Sequence, residues 1–218
     1  MSVIIIGAGP GLGAAIARTF ADAGHPIGLI ARRAASLDDL AERLRRQGAA
    51  VGVEAADAAS PDALTRAIDR LAATLGRPEV LVYNAAAALR GRPSELDAAT
   101  LLAELQVDVV GALVAANHVG PMMAEAGGGT ILMTGGGSAE RPWAGMTALG
   151  VGKAALRNLA RCLAQEVGER GVHVATVTVH GMVREGTPFD PDTIAAVYAQ
   201  LHAEPRGAWR TEVDYRGG

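Results

Sequence analysis

The sequence holds a single cysteine, Cys162, in 218 residues. One thiol excludes an internal disulfide and cannot by itself assemble a metal site. Its place in the helical pattern Leu156, Leu159, Leu163 predicts that it fills the core. Aromatic residues are scarce at 3%, so the core must be built mainly from Ala, Val, Leu and Ile. Charged residues amount to only 20% while half the chain is apolar, which excludes a disordered polymer. There is no basic excess: the net charge of -3 offers no footprint for nucleic acid. No fully apolar run approaches a membrane span. No basic stretch leads into an apolar core at the start, so Val3–Ile6 reads as a strand and not as a targeting signal. His25, His118, His173 and His202 are scattered, none at a helical ligand spacing from another His or Cys, which predicts no metal. Together these absences leave a protein of the reducing cytoplasm whose partner is a small molecule, with no role for nucleic acid or membrane.

What the chain has instead is glycine, 28 residues of it, and short apolar runs at regular intervals. Strands are predicted at 3–6, 27–31, 51–55, 79–83, 130–134, 172–179 and, shorter, 209–214. Between them lie helices at 12–23, 36–47, 61–75, 94–118 (broken near Gly111), 147–168 and 192–202. Ser36 is expected to cap the second helix, Pro61 to open the third behind Ser60, and Gly24 with Pro26 to end the first. This alternation predicts an α/β fold: a doubly wound, Rossmann-type parallel sheet of about seven strands with helices on both faces. No composition break interrupts it, so residues 1–218 read as one dinucleotide-binding domain with a short substrate lid at 181–191. In that lid Met182 and Phe189 would cover a ligand, and Arg184 would meet the cofactor or an anionic substrate.

The turn after the first strand reads Gly7-Ala8-Gly9-Pro10-Gly11-Leu12-Gly13, a Gly-x-x-x-Gly-x-Gly spacing at 7, 11 and 13. Glycine lets the backbone approach a pyrophosphate with no side chain between, and the helix that follows offers free N–H groups and its positive end. Gly7, Gly9, Gly11, Leu12 and Gly13 are therefore the candidate phosphate cradle. At the end of the second strand, where an acidic residue would take the free 2′-hydroxyl of NAD, stand Arg32 and Arg33. Two guanidinium groups suit the 2′-phosphate of NADP. Asp57, after the third strand, either accepts from the adenine amino group or caps the loop at Ala59 or Ser60.

At this point the chain resembles the short-chain dehydrogenase/reductase family. Besides the glycine turn, the resemblance rests on Tyr83-Asn84-Ala85-Ala86 after the fourth strand, on Thr130-Ile-Leu-Met-Thr-Gly-Gly-Gly137, and on Leu149-Gly-Val-Gly-Lys153 where the family has Tyr-x-x-x-Lys. It continues through the sixth strand into His180-Gly181. It implies that Asn84, with Ala85, supports the central strands beneath the nucleotide. It implies too that Lys153 holds the nicotinamide ribose and assists a catalytic tyrosine. That tyrosine belongs four residues before the lysine, where this chain has Leu149. The substrate-orienting serine falls on Gly136, and the asparagine of the proton relay on Asp108.

Leu149 cannot donate a proton and Gly136 has no hydroxyl, so the family's usual acid–base chemistry cannot run unchanged. Candidate replacements are Ser138, Thr134, Thr147, Tyr83 and His180, each with an ordinary structural reading beside it. Asp108 is expected to pair with Lys153. The catalytic set is thus Lys153, Asp108, Ser138 and His180. The function implied is an NADP(H)-dependent oxidoreductase acting on a small carbonyl, imine or activated alkene. The alternative is a non-catalytic NADP(H)-binding regulator or partner subunit. A lyase or hydratase finds no nucleophilic triad or paired carboxylates to support it. The resemblance also implies a homodimer or homotetramer packed through the helices at 94–118 and 147–168, with Ala115, Ala116, Ala154, Ala155 and Ala160 allowing close approach.

Overall fold

The computed structural model describes residues 1–217. Seven strands form one parallel sheet: β1 (Ser2–Ile6), β2 (Ile27–Ala31), β3 (Val51–Ala55), β4 (Pro78–Tyr83), β5 (Gly129–Gly136), β6 (Val172–Val179) and β7 (Glu212–Tyr215). Their order is β3-β2-β1-β4-β5-β6-β7. The connection therefore reverses direction between β1 and β4, which opens a crevice at their carboxyl ends. The helices are α1 (Leu12–Asp22), α2 (Asp38–Arg46), α3 (Pro61–Leu75), α4 (Ala98–Leu105), α5 (Gly111–Glu125), α6 (Thr147–Val167) and α7 (Pro191–His202).

Residues of β1 explain the two layers. Ile4 and Ile6 join the cluster containing Leu64, Ile68, Ala115, Val119 and Leu156, from α3, α5 and α6. Val3 and Ile5 face the cluster of Ile16, Phe20, Leu44, Ile194 and Tyr198, from α1, α2 and α7. A strand with both faces covered must be apolar at every position, and β1 is fully buried throughout. Each such isoleucine contributes roughly 1.5–3 kcal/mol of hydrophobic stabilisation.

Several boundaries differ from the sequence expectation. Ser36 does not cap α2. Its hydroxyl donates to the Arg33 carbonyl at 2.6 Å, closing one 3-10 turn (Ala34–Leu37) before the helix starts at Asp38. Ser60 precedes α3 without a side-chain cap, and Asp57 accepts from the Ala59 amide at 2.9 Å. The fourth helical stretch starts at Ala98, where Asp97 accepts from the Thr100 amide at 2.7 Å. It does not break at Gly111. A π-helical turn, Gln106–Val110, joins α4 to α5, which runs past Pro121.

The fully apolar runs remain short, and the continuity joins them into one long helix. Ala98–Glu125 forms one 28-residue helix with a window of mean hydropathy 1.6, long and apolar enough by those measures to cross a membrane. Sequence reading had split it at the glycine. Its inward face nonetheless packs in the core through Ala112, Ala115, Ala116, Val119 and Met123. Cys162, expected in the core, is exposed on α6, because it lies on the face of that helix opposite Leu156, Ala160 and Leu163. Trp209 precedes β7 and stacks on His173, ring centroids 5.1 Å apart. In the segment at 181–191, Phe189 folds onto Gly181 and Tyr215 and so does not stand over the cleft. A Cβ on Gly181 would lie 2.3 Å from its ring. Met182 remains 81% exposed.

Candidate functional site

The crevice between β1 and β4 is a cleft of about 390 Å³ whose lining includes Gly7, Gly9, Arg32, Arg33, Asp57 and Ala85. The glycines differ in what they do. Gly7 has φ +82°, and a Cβ there would lie 2.4 Å from the Ala85 amide nitrogen, so the first turn and the end of β4 touch backbone to backbone. A Cβ on Gly13 would lie 2.7 Å from the Gly7 carbonyl oxygen, so this glycine lets α1 pack against its own turn. Gly9 and Gly11 face open space. No side chain caps the amino end of α1, which leaves that end open to an anion. Leu12 sends its side chain into the core among the α1 cluster, so only its backbone faces the turn.

Arg32 and Arg33 are exposed on the cleft wall, and neither makes an ion pair among the described residues. Two unpaired cations at one end of a crevice form an anion-attracting pole. Asp57 lines the same end and accepts from the Ala59 amide, the loop-capping role weighed for it.

Beneath the cleft a chain of hydrogen bonds ties three strands together. Asn84 donates to the Gly7 carbonyl at 2.9 Å and accepts from the Thr134 hydroxyl at 2.8 Å. The Thr134 hydroxyl also meets that of Tyr198 at 2.7 Å, so its proton is already committed to Asn84. Lys153 is buried and donates to the Thr134 carbonyl at 2.8 Å. Burial pushes its ammonium below the ordinary lysine range, and the charge of Asp108 partly restores it.

The direct Asp108–Lys153 ion pair expected from the sequence does not form. Asp108 accepts from the Ala87 amide at 2.8 Å through Oδ1. Its Oδ2 is buried without a partner, on the side of Gly152, where a Cβ would lie 2.5 Å away. Desolvation pushes the Asp108 carboxyl up to about 6, against the pull of Lys153 and of the Ala87 amide, and Glu104 adds to the rise. Glu104 is the residue that sequence reading missed. It is 1% exposed, accepts from the Leu89 amide at 2.7 Å and keeps Oε2 buried and unpartnered. Its signal was available: Glu104 and Asp108 are lone acids four residues apart in a stretch that is otherwise almost wholly apolar.

The remaining candidates separate clearly. Ser138 and the aliphatic stem of Lys153 both border Gly136. A Cβ on Gly136 would lie 3.4 Å from Lys153 Cγ and 3.6 Å from Ser138 Oγ, and the serine hydroxyl has no hydrogen-bond partner among the described residues. Thr147 donates to the Ala144 carbonyl. Tyr83 is wholly buried, donates to the Val107 carbonyl, and is held far above the ordinary phenol range by desolvation, so it is a packed strand residue. The His180 ring packs over Gly137, but its Nε2 is taken by Asp214 at 2.6 Å and its Nδ1 faces Arg216 at 3.5 Å. Both nitrogens thus face residues at the β7 edge. Glu140, His180 and Asp214 bring their ligand-type atoms within 4.8 Å of one another. Sequence spacing did not reveal this trio because it gathers residues from three distant stretches, the last of them in β7. Arg157 (2.8 Å from Glu140) and Arg216 (3.6 and 3.5 Å from Glu140 and Asp214) already supply the positive charge there.

Residues 1–192 match the family described as short chain dehydrogenase. Among curated proteins, the chain is 33% identical over 178 residues to sulfoacetaldehyde reductase 2 of Chromohalobacter salexigens, covering 79% of this chain and 70% of that one. It is 31% identical over 175 residues to D-threitol dehydrogenase of Mycolicibacterium smegmatis, covering 80% and 67%. Among solved structures, a metagenomic short-chain oxidoreductase in complex with NADP superposes with a TM-score of 0.91 at 26% identity, over 100% of this chain and 97% of that one. A blue fluorescent protein from a metagenomic library, in complex with NADPH, superposes with a TM-score of 0.88 at 26% identity, covering 100% and 97%.

Proposed function

Because the chain belongs to the short-chain dehydrogenase family, we propose that it is an NADP(H)-dependent oxidoreductase with a modified acid–base set, acting on a small carbonyl, imine or activated alkene. The observation that carries the reading is the pair of unpaired guanidinium groups, Arg32 and Arg33, at one end of the glycine-lined cleft. The cleft fits such a cofactor on its own terms. Gly9 and Gly11 leave the space a pyrophosphate needs, and the open amino end of α1 faces it. The relatives solved with NADP and NADPH agree with this assignment.

In this reading Gly7, Gly9, Gly11, Gly13 and the Leu12 backbone hold the pyrophosphate, and Arg32 and Arg33 hold the 2′-phosphate. Asp57 takes the adenine side, Asn84 and Ala85 form the floor, and Lys153 takes the nicotinamide ribose. The bound nicotinamide supplies or accepts the hydride. Leu149 stands where the family's tyrosine would, and Gly136 where its serine would, so the chain's own proton chemistry moves elsewhere. Ser138 brings a free hydroxyl beside Lys153 and orients the substrate's polar atom. Asp108, poised near pH 6 behind that lysine, is the proton reserve. His180 leaves the catalytic set for a structural ion network. The active form is a homodimer or homotetramer, working in the cytoplasm.

Titration with NADPH and NADH, followed by turnover on a panel of carbonyl, imine and activated-alkene compounds, tests the reading. NADPH should bind more tightly than NADH. The Arg32→Ala/Arg33→Ala protein should lose roughly 10- to 100-fold in NADPH affinity, as expected for lost charge-assisted hydrogen bonds, with NADH affinity little changed. Equal or tighter NADH binding by the native protein would overturn the arginine assignment. Tight NADPH binding with no member of the panel turned over would favour a non-catalytic regulator or partner subunit, for which Leu149 is the supporting residue.

A further inference from the structure

Building on the oxidoreductase reading, we infer that the substrate is a neutral, largely apolar molecule of about one or two rings. Its reacting group lies at Ser138 and its apolar body in a second cavity flanked by Trp143. That cavity measures about 490 Å³ and lies between the segment after β4 and the start of α6. Its volume is in the range that holds small organic ligands. Pro93, Ala139, Pro142, Trp143, Met146 and Val151 make most of its wall, and no charged side chain lines it.

Two hydroxyls reach it, those of Ser138 and Thr147. Thr147 spends its proton on the Ala144 carbonyl at 2.9 Å, so of the two hydroxyls Ser138 holds the free donor hydrogen. The cavity therefore has one polar end. That end and the aliphatic stem of Lys153 both border Gly136, with Ser138 Oγ and Lys153 Cγ 3.6 and 3.4 Å from the position a Cβ there would take. A charged or polyhydroxylated ligand would find no charged partner and little hydrogen-bonding capacity along this wall. An apolar ring with one carbonyl would need only the Ser138 hydroxyl.

The site is also built in advance. Gly91 donates to the Gly145 carbonyl at 3.0 Å and accepts from the Thr147 amide at 3.3 Å, which pins the two loops together. The Trp143 ring lies over Gly145, where a Cβ would be only 3.0 Å from it, and is 60% exposed. An indole face held in place and left open is a stacking surface for a ring. A second copy of this chain would instead be met by the convex face carrying Leu102 and Leu113, which lies outside the cavity.

Trp143 provides the readout, because the other tryptophan, Trp209, is stacked on His173 away from this cavity. In the native protein with saturating NADPH, 4-phenylcyclohexanone should change Trp143 fluorescence saturably. It should bind at least about tenfold more tightly than 4-oxocyclohexanecarboxylate or glyceraldehyde. By calorimetry, Trp143→Ala and Val151→Glu should each weaken it about tenfold. The second variant places its charge at an exposed rim position and so spares the fold. Equal or tighter binding of the charged or hydroxylated compounds overturns the inference. So does absence of 4-phenylcyclohexanone binding, or a fluorescence change that follows protein concentration alone. NADPH binding, followed by its own fluorescence, is scored separately, so a failed cofactor assignment and a failed substrate assignment give different results.

Discussion

Asp108 is a carboxyl with no exposure, one amide for a partner, and a value raised from 3.8 to about 6. The native chain thus binds this proton more tightly than the unfolded chain does. Its contribution to stability is full below about pH 4 and is lost as pH rises through about 6. Asp108→Asn keeps the acceptor for Ala87 and removes the titration. Urea unfolding should show this variant matching the native protein near pH 4. Above pH 7 it should be the more stable by an amount on the order of 3 kcal/mol. If Asp108 is the proton reserve, the native reduction rate should also fall as pH rises through about 6, and this variant should lose that fall. A native unfolding free energy that is flat between pH 4 and 7 would show that Asp108 does not titrate there. At this scale the sequence made Asp108 and Lys153 legible as chemistry-bearing residues. It did not reveal that each finds a backbone partner in place of the other, because backbone carbonyls and amides have no letter of their own.

The π-helical turn between α4 and α5 is where element and site meet. Its Val107 carbonyl receives the Tyr83 hydroxyl, and its Asp108 holds the segment after β4. Gly111 follows directly. A Cβ there would lie 2.4 Å from both the Tyr83 hydroxyl and the Ala58 carbonyl oxygen, so this glycine serves close packing and not helix breaking. Tyr83→Phe should cost about 1–3 kcal/mol, the price of a buried carbonyl left without a donor. The change should appear in urea unfolding with an unaltered slope. Gly111→Ala should destabilise more, since backbone must move. Sequence reading marked a break at Gly111 because a mid-helix glycine usually weakens a helix. The local rule lost to a tertiary contact from a strand 28 residues earlier. Ser36 shows the same limit on a smaller scale: a good cap by type found a nearer carbonyl on Arg33.

At the scale of the whole molecule, an apolar surface distinct from the Trp143 cavity stands uncovered on the Ala98–Glu125 helix. Leu102 is 65% exposed and Leu113 37% exposed on the outer side of the Ala98–Glu125 helix. Surfaces of this kind bury themselves against a partner, and a second copy of the chain is the occupant expected here. Light scattering after gel filtration should show a dimer or tetramer for the native protein. Leu102→Asp should shift it toward the monomer with little loss of helix content, and a native protein that is monomeric throughout would rule this surface out. The seven parallel strands, the helices on both faces and the glycine turn after β1 all follow from the alternation of apolar runs and turns, while the strand order and its reversal between β1 and β4 come from the tertiary structure. Local periodicity and glycine placement are written residue by residue, so the sequence alone determined the layered architecture and the glycine turn. It could not determine where the long polar side chains of the crevice would turn. Only the tertiary structure sent His180 to Asp214, exposed Cys162, buried Glu104 and left Ser138 free beside Lys153. Those outcomes are set by which distant carbonyls, amides and charges come within a few ångströms once the sheet closes.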